Sequence, residues 1–230
     1  LDLYVHTFHL MQKQHRVNQL KERVEAFTFD IQPVEKSSDE LYILVIGEAS
    51  RYDHWGINGY DRNTTPLLAN CPNLILYEKV FAQANLTEYS VSFLLTRATA
   101  GNPEIARMEK SLPEACREAG FWSGYISTQI SYDFTERIRQ NCNYSRFYTK
   151  NFDQDGNYDA KMVEDVAATV ADTLQFYLLH SLGSHFRYEH RYPGDFAYFE
   201  PVLGKSAGYS MLKKENKDRM VNAYDNSIRY

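Results

Sequence analysis

The sequence predicts an α/β fold: a layered sheet with helices on both faces. Three observations carry that prediction. The first is an unbroken apolar run, Leu41-Tyr-Ile-Leu-Val-Ile46, of the kind buried on both faces in a parallel sheet. The second is the alternation along the rest of the chain, in which short apolar segments take turns with segments of helical period. The third is the set of polar and titratable residues directly after the apolar runs, because open α/β sheets bind ligands at the carboxyl ends of their strands.

Taken in order, residues 1–30 carry a sparse apolar stripe, with Leu10, Val17 and Val24 seven apart and Leu20 and Phe27 likewise. That period predicts a helix, either packed on the surface of the domain or lying near a membrane surface or a further domain. Residues 31–40 hold a Pro and a polar cluster and read as a loop. The chain therefore divides into a linker helix and loop over 1–38 and a main domain over 39–230. After the strand at Leu41–Ile46, the run Leu74–Phe81 predicts a second strand. Residues 88–98 predict a helix. Ser111–Ala119 predicts another, with Pro113 in its first turn and Gly120 as its stop. Phe121–Ile126 is the third predicted strand. Tyr158–Ala171 is an amphipathic helix with Met162, Val163, Val166 and Val170 on one face. Gln175–Leu179 is the fourth strand, ending at His180. Met220, Val221, Tyr224 and Ile228 give residues 212–230 a helical period.

Composition sets the outer limits. The chain has 230 residues, 43% apolar and 24% charged, which are ordinary globular values. Eleven Gly and seven Pro are too few for a collagenous or low-complexity chain. Net charge is −5, so the overall basic footprint of a nucleic-acid binder is absent. The longest apolar run, Leu41–Gly47, falls far short of the roughly 20 residues of a membrane span. Eighteen Tyr suit a wet, polar cleft or an interfacial surface. The chain opens Leu-Asp-Leu-Tyr, without an initiator Met or a leader, and is expected to be a piece of something longer. Cys71, Cys116 and Cys142 include no CxxC, which excludes a thiolate zinc knuckle; one disulfide plus a leftover thiol stays open.

Three stretches carry chemistry. In Val45-Ile-Gly-Glu-Ala-Ser-Arg, continuing to Asn-Gly-Tyr-Asp-Arg-Asn-Thr-Thr-Pro66, a strand delivers Glu48 to a turn. Glu48 is either a hard oxygen ligand for a divalent cation or an ordinary capping or salt-bridged carboxylate. In Thr87-Glu-Tyr-Ser-Val-Ser-Phe, the threonine precedes a helical run. Its hydroxyl is either a simple helix cap or a nucleophile stabilised by the helix dipole and a metal. In His180-Ser-Leu-Gly-Ser-His-Phe-Arg-Tyr-Glu-His-Arg-Tyr-Pro193, a strand end is followed by His185 and His190, with Gly183 letting the backbone turn and Arg187 and Arg191 adding phosphate-binding charge.

Together these stretches resemble the phosphoethanolamine transferases of the alkaline phosphatase/sulfatase superfamily, which include the lipid A modifiers and the mobile colistin resistance enzymes. Val-Ile-Gly-Glu-Ala-Ser-Arg with Asn-Gly-Tyr-Asp-Arg-Asn-Thr-Thr-Pro is similar to their opening motif. Thr-Glu-Tyr-Ser-Val-Ser-Phe is similar to their nucleophile motif, and His-Ser-Leu-Gly-Ser-His to their histidine loop. Asn222-Ala-Tyr-Asp-Asn-Ser-Ile228 is similar to the helix before their last metal motif. The likeness runs from about Glu40 to the end, with the four motifs in the family's order.

The resemblance implies that the main domain over 39–230 is an alkaline phosphatase/sulfatase-like catalytic domain, incomplete at its C-terminus. It implies Zn²⁺ held by Glu48 and Thr87, with the remaining ligands, an Asp-His pair, beyond Tyr230. Thr87 and His185 are the implied catalytic residues, and His180, Arg187 and Gln129 the implied substrate-binding ones. The implied reaction moves phosphoethanolamine from phosphatidylethanolamine to a lipopolysaccharide or periplasmic glycan acceptor, through a phospho-threonine. It takes place at the periplasmic face of the bacterial inner membrane, with a preceding membrane domain and no nucleic-acid partner. A phosphoglycerol transferase, another hydrolase of the superfamily, and an inert fragment are the alternatives. A sulfatase proper needs a modified Cys or Ser where Thr87 stands. The cysteines that bracket the family's nucleophile motif are replaced here by Ala84 and Ser92–Phe93, and Phe186-Arg187 stands where Gly-Pro is common. Separately, Asp153, Asp155, Asn157, Asp159 and Glu164 fall at calcium-loop spacing, but Tyr158 sits where that loop demands Gly, so a polar turn is expected.

Overall fold

A computed structural model describes residue 15 and residues 18–33, 39–149, 156–205 and 213–230. Its centre is a four-stranded, wholly parallel sheet in the order β1-β4-β2-β3. The strands are β1 (Leu41–Ile46), β2 (Trp122–Ser127), β3 (Tyr144–Phe147) and β4 (Gln175–His180). The helices are α1, described over residues 18–26, α2 (Thr87–Leu95), α3 (Leu112–Glu118), α4 (Asp133–Asn141), α5 (Ala160–Thr169) and α6 (Lys217–Arg229).

Strand alternation splits the core in two. On one face Ile46, Tyr125, Phe176 and Leu178 pack with Val91 and Leu95 of α2 and Ile138 of α4, beside Cys116 of α3. On the other, Ile126, Tyr177 and Leu179 pack with Met162 and Val166 of α5. Helices therefore cover both faces, as the sequence predicts. β4 is buried along its whole length because it lies between β1 and β2.

Helix limits reflect local chemistry. α3 opens on Ser111, whose N–H and hydroxyl both donate to the Glu114 carboxylate at 2.7 and 2.8 Å. It stops at Gly120, whose φ of +95° no side chain favours. α5 buries Met162 and Val166, while Val163 and Val170 face outward. Val24 of α1 is buried; Leu10 and Val17, the other members of its stripe, lie outside the described residues.

Several expectations are corrected. Leu74–Phe81 is not a strand: it has no ladder partner among the described residues, and Ile75, Tyr77, Val80 and Phe81 are each at least 74% exposed. β1 is an edge strand, with Leu41, Ile43 and Val45 exposed, so its apolar run does not mark burial on both faces here. β3 and α4 are elements that the sequence does not predict. All three cysteines are free, and burial pushes the Cys116 and Cys142 thiols up to about 11.

Candidate active site at the carboxyl edge of the sheet

The register aligns Ile46, His180 and Ser127, so β1, β4 and β2 end side by side. The loops that leave these three strands therefore gather at one edge. Glu48 comes after β1, Ser181 to His185 after β4, and Thr128 and Gln129 after β2.

Glu48 is the focus. Its Oε2 accepts from the Thr87 hydroxyl at 2.8 Å and from Gln129 Nε2 at 3.0 Å. Thr87 is the first residue of α2, not its cap. Leu86 holds the cap position with no side-chain bond, and the Leu86 carbonyl takes the N–H groups of Tyr89 and Ser90. The hydroxyl is thus aimed at the carboxylate, and the free amides of the first turn lie beside it. Gln129 is 4% exposed, which fixes its amide in place.

The histidine loop grips the same turn. Ser184 N–H donates to the Glu48 carbonyl at 3.0 Å. Gly183 has φ +44°, and a Cβ there would meet Glu48 N at 3.0 Å and Glu48 O at 3.1 Å, so only glycine lets the two backbones close. His185 comes two residues later and is half-buried. His180 is 1% exposed, with Tyr125 Oη 3.2 Å from its Nδ1 and, among the described residues, no partner for Nε2. Burial pushes its imidazole down to about 4. Arg187 turns inward, donating to the Lys205 carbonyl at 3.0 Å, with His190 Nε2 2.9 Å from the same nitrogen.

A buried network holds the opening motif in shape. Asp225 of α6, fully buried, bonds His54 Nδ1 at 2.6 Å, Tyr60 Oη at 2.8 Å and Arg62 Nη1 at 2.9 Å. Tyr224 Oη accepts from Arg51 N–H at 2.7 Å and donates to the Ala49 carbonyl at 2.8 Å. Ala49 has φ +52°, a conformation a non-glycine residue adopts at a cost, and that bond clamps it directly after Glu48. Thr64 and Thr65 accept the N–H groups of Gly56 and Ile57 at 3.0 Å. These bonds hold the turn that follows Glu48 in shape.

Tyr132, which the sequence does not single out, has a buried hydroxyl without a partner among the described residues. Burial, then the charges of Glu88 and Glu48, hold its proton well above the usual tyrosine range. No spacing rule marks it, because it reaches the site through the fold of the loop after β2. Asp159 accepts the hydroxyls of Thr128, at 2.5 Å, and Ser181, and Asn157 bonds the Tyr148 carbonyl at 2.8 Å. The calcium-loop spacing thus serves turn contacts where it is described; Asp153 and Asp155 lie outside the described residues.

As for the implied zinc, carboxylate and hydroxyl oxygens are donors that zinc accepts, and Glu48 and Thr87 present both at one point. Among the described residues, no group of three His, Cys, Asp or Glu side chains comes together around an ion-sized site. The pair therefore fits as part of a ligand set.

Comparison with known proteins agrees with this architecture. The sulfatase family model matches residues 40–230. The chain is 29% identical over 222 residues to the Kdo(2)-lipid A phosphoethanolamine 7''-transferase of Escherichia coli (strain K12), covering 93% of this chain and 38% of that protein. It is 25% identical over 202 residues to the phosphatidylethanolamine transferase Mcr-1 of Escherichia coli, covering 82% and 36%. The C-terminal periplasmic domain of EptC from Escherichia coli, solved as a complex with Zn, superposes with a TM-score of 0.70 at 22% identity, covering 87% of this chain and 60% of that one. The soluble domain of lipooligosaccharide phosphoethanolamine transferase A from Neisseria meningitidis gives 0.69 at 22%, covering 86% and 60%. Those likenesses show the fold. The chain spans about 38% of the length of the first of these curated relatives. With its family model matched from Glu40 to the last residue, the chain belongs to the sulfatase family.

Proposed function

We propose that this chain carries the nucleophile half of a phosphoethanolamine transferase. The donor is phosphatidylethanolamine. The acceptor is a lipopolysaccharide, at its lipid A or core, or a periplasmic glycan, at the periplasmic face of the inner membrane. The observation that carries the reading is the Thr87 hydroxyl held 2.8 Å from the Glu48 carboxylate at the start of a helix. The names of the relatives, which are phosphoethanolamine transferases, support it.

Thr87 Oγ1 attacks phosphorus in line. Glu48, already accepting the hydroxyl hydrogen, draws off its proton as the P–O bond to diacylglycerol breaks and the leaving oxygen is protonated. Gln129 fixes the carboxylate from its other side. The uncapped amides of α2 face charge gathering on the phosphoryl oxygens. In the second step the acceptor oxygen attacks the phospho-threonine and Thr87 recovers its hydroxyl. His185 orients the phosphate or donates the proton the leaving oxygen needs. His180, Arg187 and Gln129 line the substrate side in this reading, with His180 acting as a neutral group. Zn²⁺ bound by Glu48 and Thr87, with further ligands, would supply Lewis acidity at the threonine oxygen.

Intact-mass analysis tests the nucleophile in a protein that carries the remaining length of its relatives. After incubation with phosphatidylethanolamine, a phosphoethanolamine adduct is expected on the unaltered protein and none on Thr87→Ala. An adduct that survives Thr87→Ala overturns the assignment. Glu48→Gln is expected to slow adduct formation by two or more orders of magnitude, roughly the worth of a lost general base and charge partner. Adduct formation from phosphatidylglycerol in preference to phosphatidylethanolamine would instead mark a phosphoglycerol transferase.

A further inference from the structure

Beside the Glu48 turn lies a cleft of about 460 Å³ between the opening motif, the histidine loop and α6. Arg51, Lys213, Lys214 and Lys217 line it, and among the described residues no carboxylate does. In a chain of net charge −5, four cations around one cavity are a local reversal of sign. Arg51 is partly neutralised by Asp53, which it meets at 2.6 and 2.8 Å. His54, also at the cleft, bonds the buried Asp225. The three lysines have no ion pair or hydrogen bond among the described residues. The acids of their own segment, Glu215 and Asp218, do not line the cleft.

The cleft is not only charged. Tyr188 and Tyr224 form a wall, with ring centroids 4.9 Å apart and planes at 65°. Met220 and Val221 add an apolar floor. A cavity with an aromatic wall, an apolar floor and lysines at its mouth suits a sugar ring that bears an anion. The ring's C–H face meets the aromatics, and its phosphate or carboxylate meets the ammonium groups. A nucleic acid needs a longer basic track than one cleft of this size. The location also fits. Ala49 lines the cleft and is bonded directly to Glu48, and Tyr188 lies three residues past His185.

We propose that this cleft is the acceptor subsite, binding a phosphorylated or carboxylated sugar beside the turn that carries Glu48. The acceptor role rests on the transferase reading above; the binding itself does not. The same phosphate chemistry is present in the donor headgroup, so the test carries both.

The measurement is NMR titration of the 230-residue chain with glucosamine 6-phosphate, with glycerophosphoethanolamine and inorganic phosphate as comparators. Saturable shifts are expected at Arg51, Tyr188, Lys213 and Tyr224 with glucosamine 6-phosphate, and at least tenfold weaker binding of both comparators. Lys213→Glu with Lys217→Glu is expected to weaken the sugar phosphate at least tenfold while leaving the amide spectrum of the sheet unchanged. Thr87→Ala is expected to leave binding intact, which separates failure of the nucleophile from failure of the subsite. Three results would each overturn the proposal: shifts that bypass these residues, binding indifferent to the two charge reversals, or glycerophosphoethanolamine bound as tightly as the sugar phosphate.

Discussion

Glu48 Oε2 receives two donors that arrive from different parts of the chain, one from the first turn of α2 and one from the loop after β2. A lone carboxylate after a strand has an ordinary reading as a salt-bridge partner, but here no cation meets it in any described ion pair. A hydroxyl and an amide do. The same edge of the sheet holds His180 in the opposite situation, buried and with Nε2 unpartnered among the described residues. Its imidazole is pushed down to about 4, below the value of about 6.5 expected for the unfolded chain. Between those values the unfolded chain binds the proton and the folded chain does not. Stability is therefore full above about pH 6.5 and falls as pH drops toward 4, by up to about 3 kcal/mol. His180→Gln, which cannot titrate, is expected to flatten that part of the profile. Urea unfolding of both proteins from pH 4.5 to 7.5 checks this, and parallel profiles would sink it.

At the scale of elements, α6 acts as a clamp on the opening motif. Asp225 is fully buried with three partners, so Asp225→Asn leaves donors facing a poorer acceptor and is expected to cost about 2–4 kcal/mol in urea unfolding. Tyr224→Phe removes both bonds that hold the Ala49 turn. It is expected to cost about 1–2 kcal/mol and to reduce adduct formation at Thr87, because the strained Ala49 is then free to relax and carry Glu48 with it. A Tyr224→Phe protein with full adduct formation would show that the turn needs no clamp. The sequence makes Glu48 and Thr87 visible as candidates, and the resemblance adds Gln129 to them. β4, α3 and the alternation of layers are visible in apolar runs and caps. β3 is not, because Tyr144-Ser-Arg-Phe147 is short and half-buried and carries no apolar run. Nor is α4, whose Asp-Phe-Thr-Glu-Arg-Ile-Arg-Gln-Asn is mostly polar and buries only Thr135 and Ile138. The Asp225 network is invisible for another reason. Asp225 lies more than 160 residues from each of its partners in sequence, and no local period relates them.

Over the whole molecule, burial is lopsided. β4 and the helix faces packed on it are dry, while Leu41, Ile43 and Val45 of the edge strand stay exposed, as do Ile75, Tyr77, Val80 and Phe81 of the stretch before α2. Both segments read as strand in sequence because their composition suits a sheet, and both present apolar surface in this chain. An apolar edge strand offers unpaired backbone groups and dry side chains together, the combination that templates pairing with another chain. The isolated 230-residue protein is therefore expected to bind a hydrophobic dye in its folded state and to self-associate at high-micromolar concentration. Ile75→Lys combined with Phe81→Lys, and separately Val45→Lys, should each lower both signals without changing the unfolding free energy by more than about 0.5 kcal/mol, as exposed sites allow. Sedimentation velocity and dye fluorescence across a concentration series decide it. A monomer at every concentration with no dye signal would mean that these residues are covered by something other than solvent.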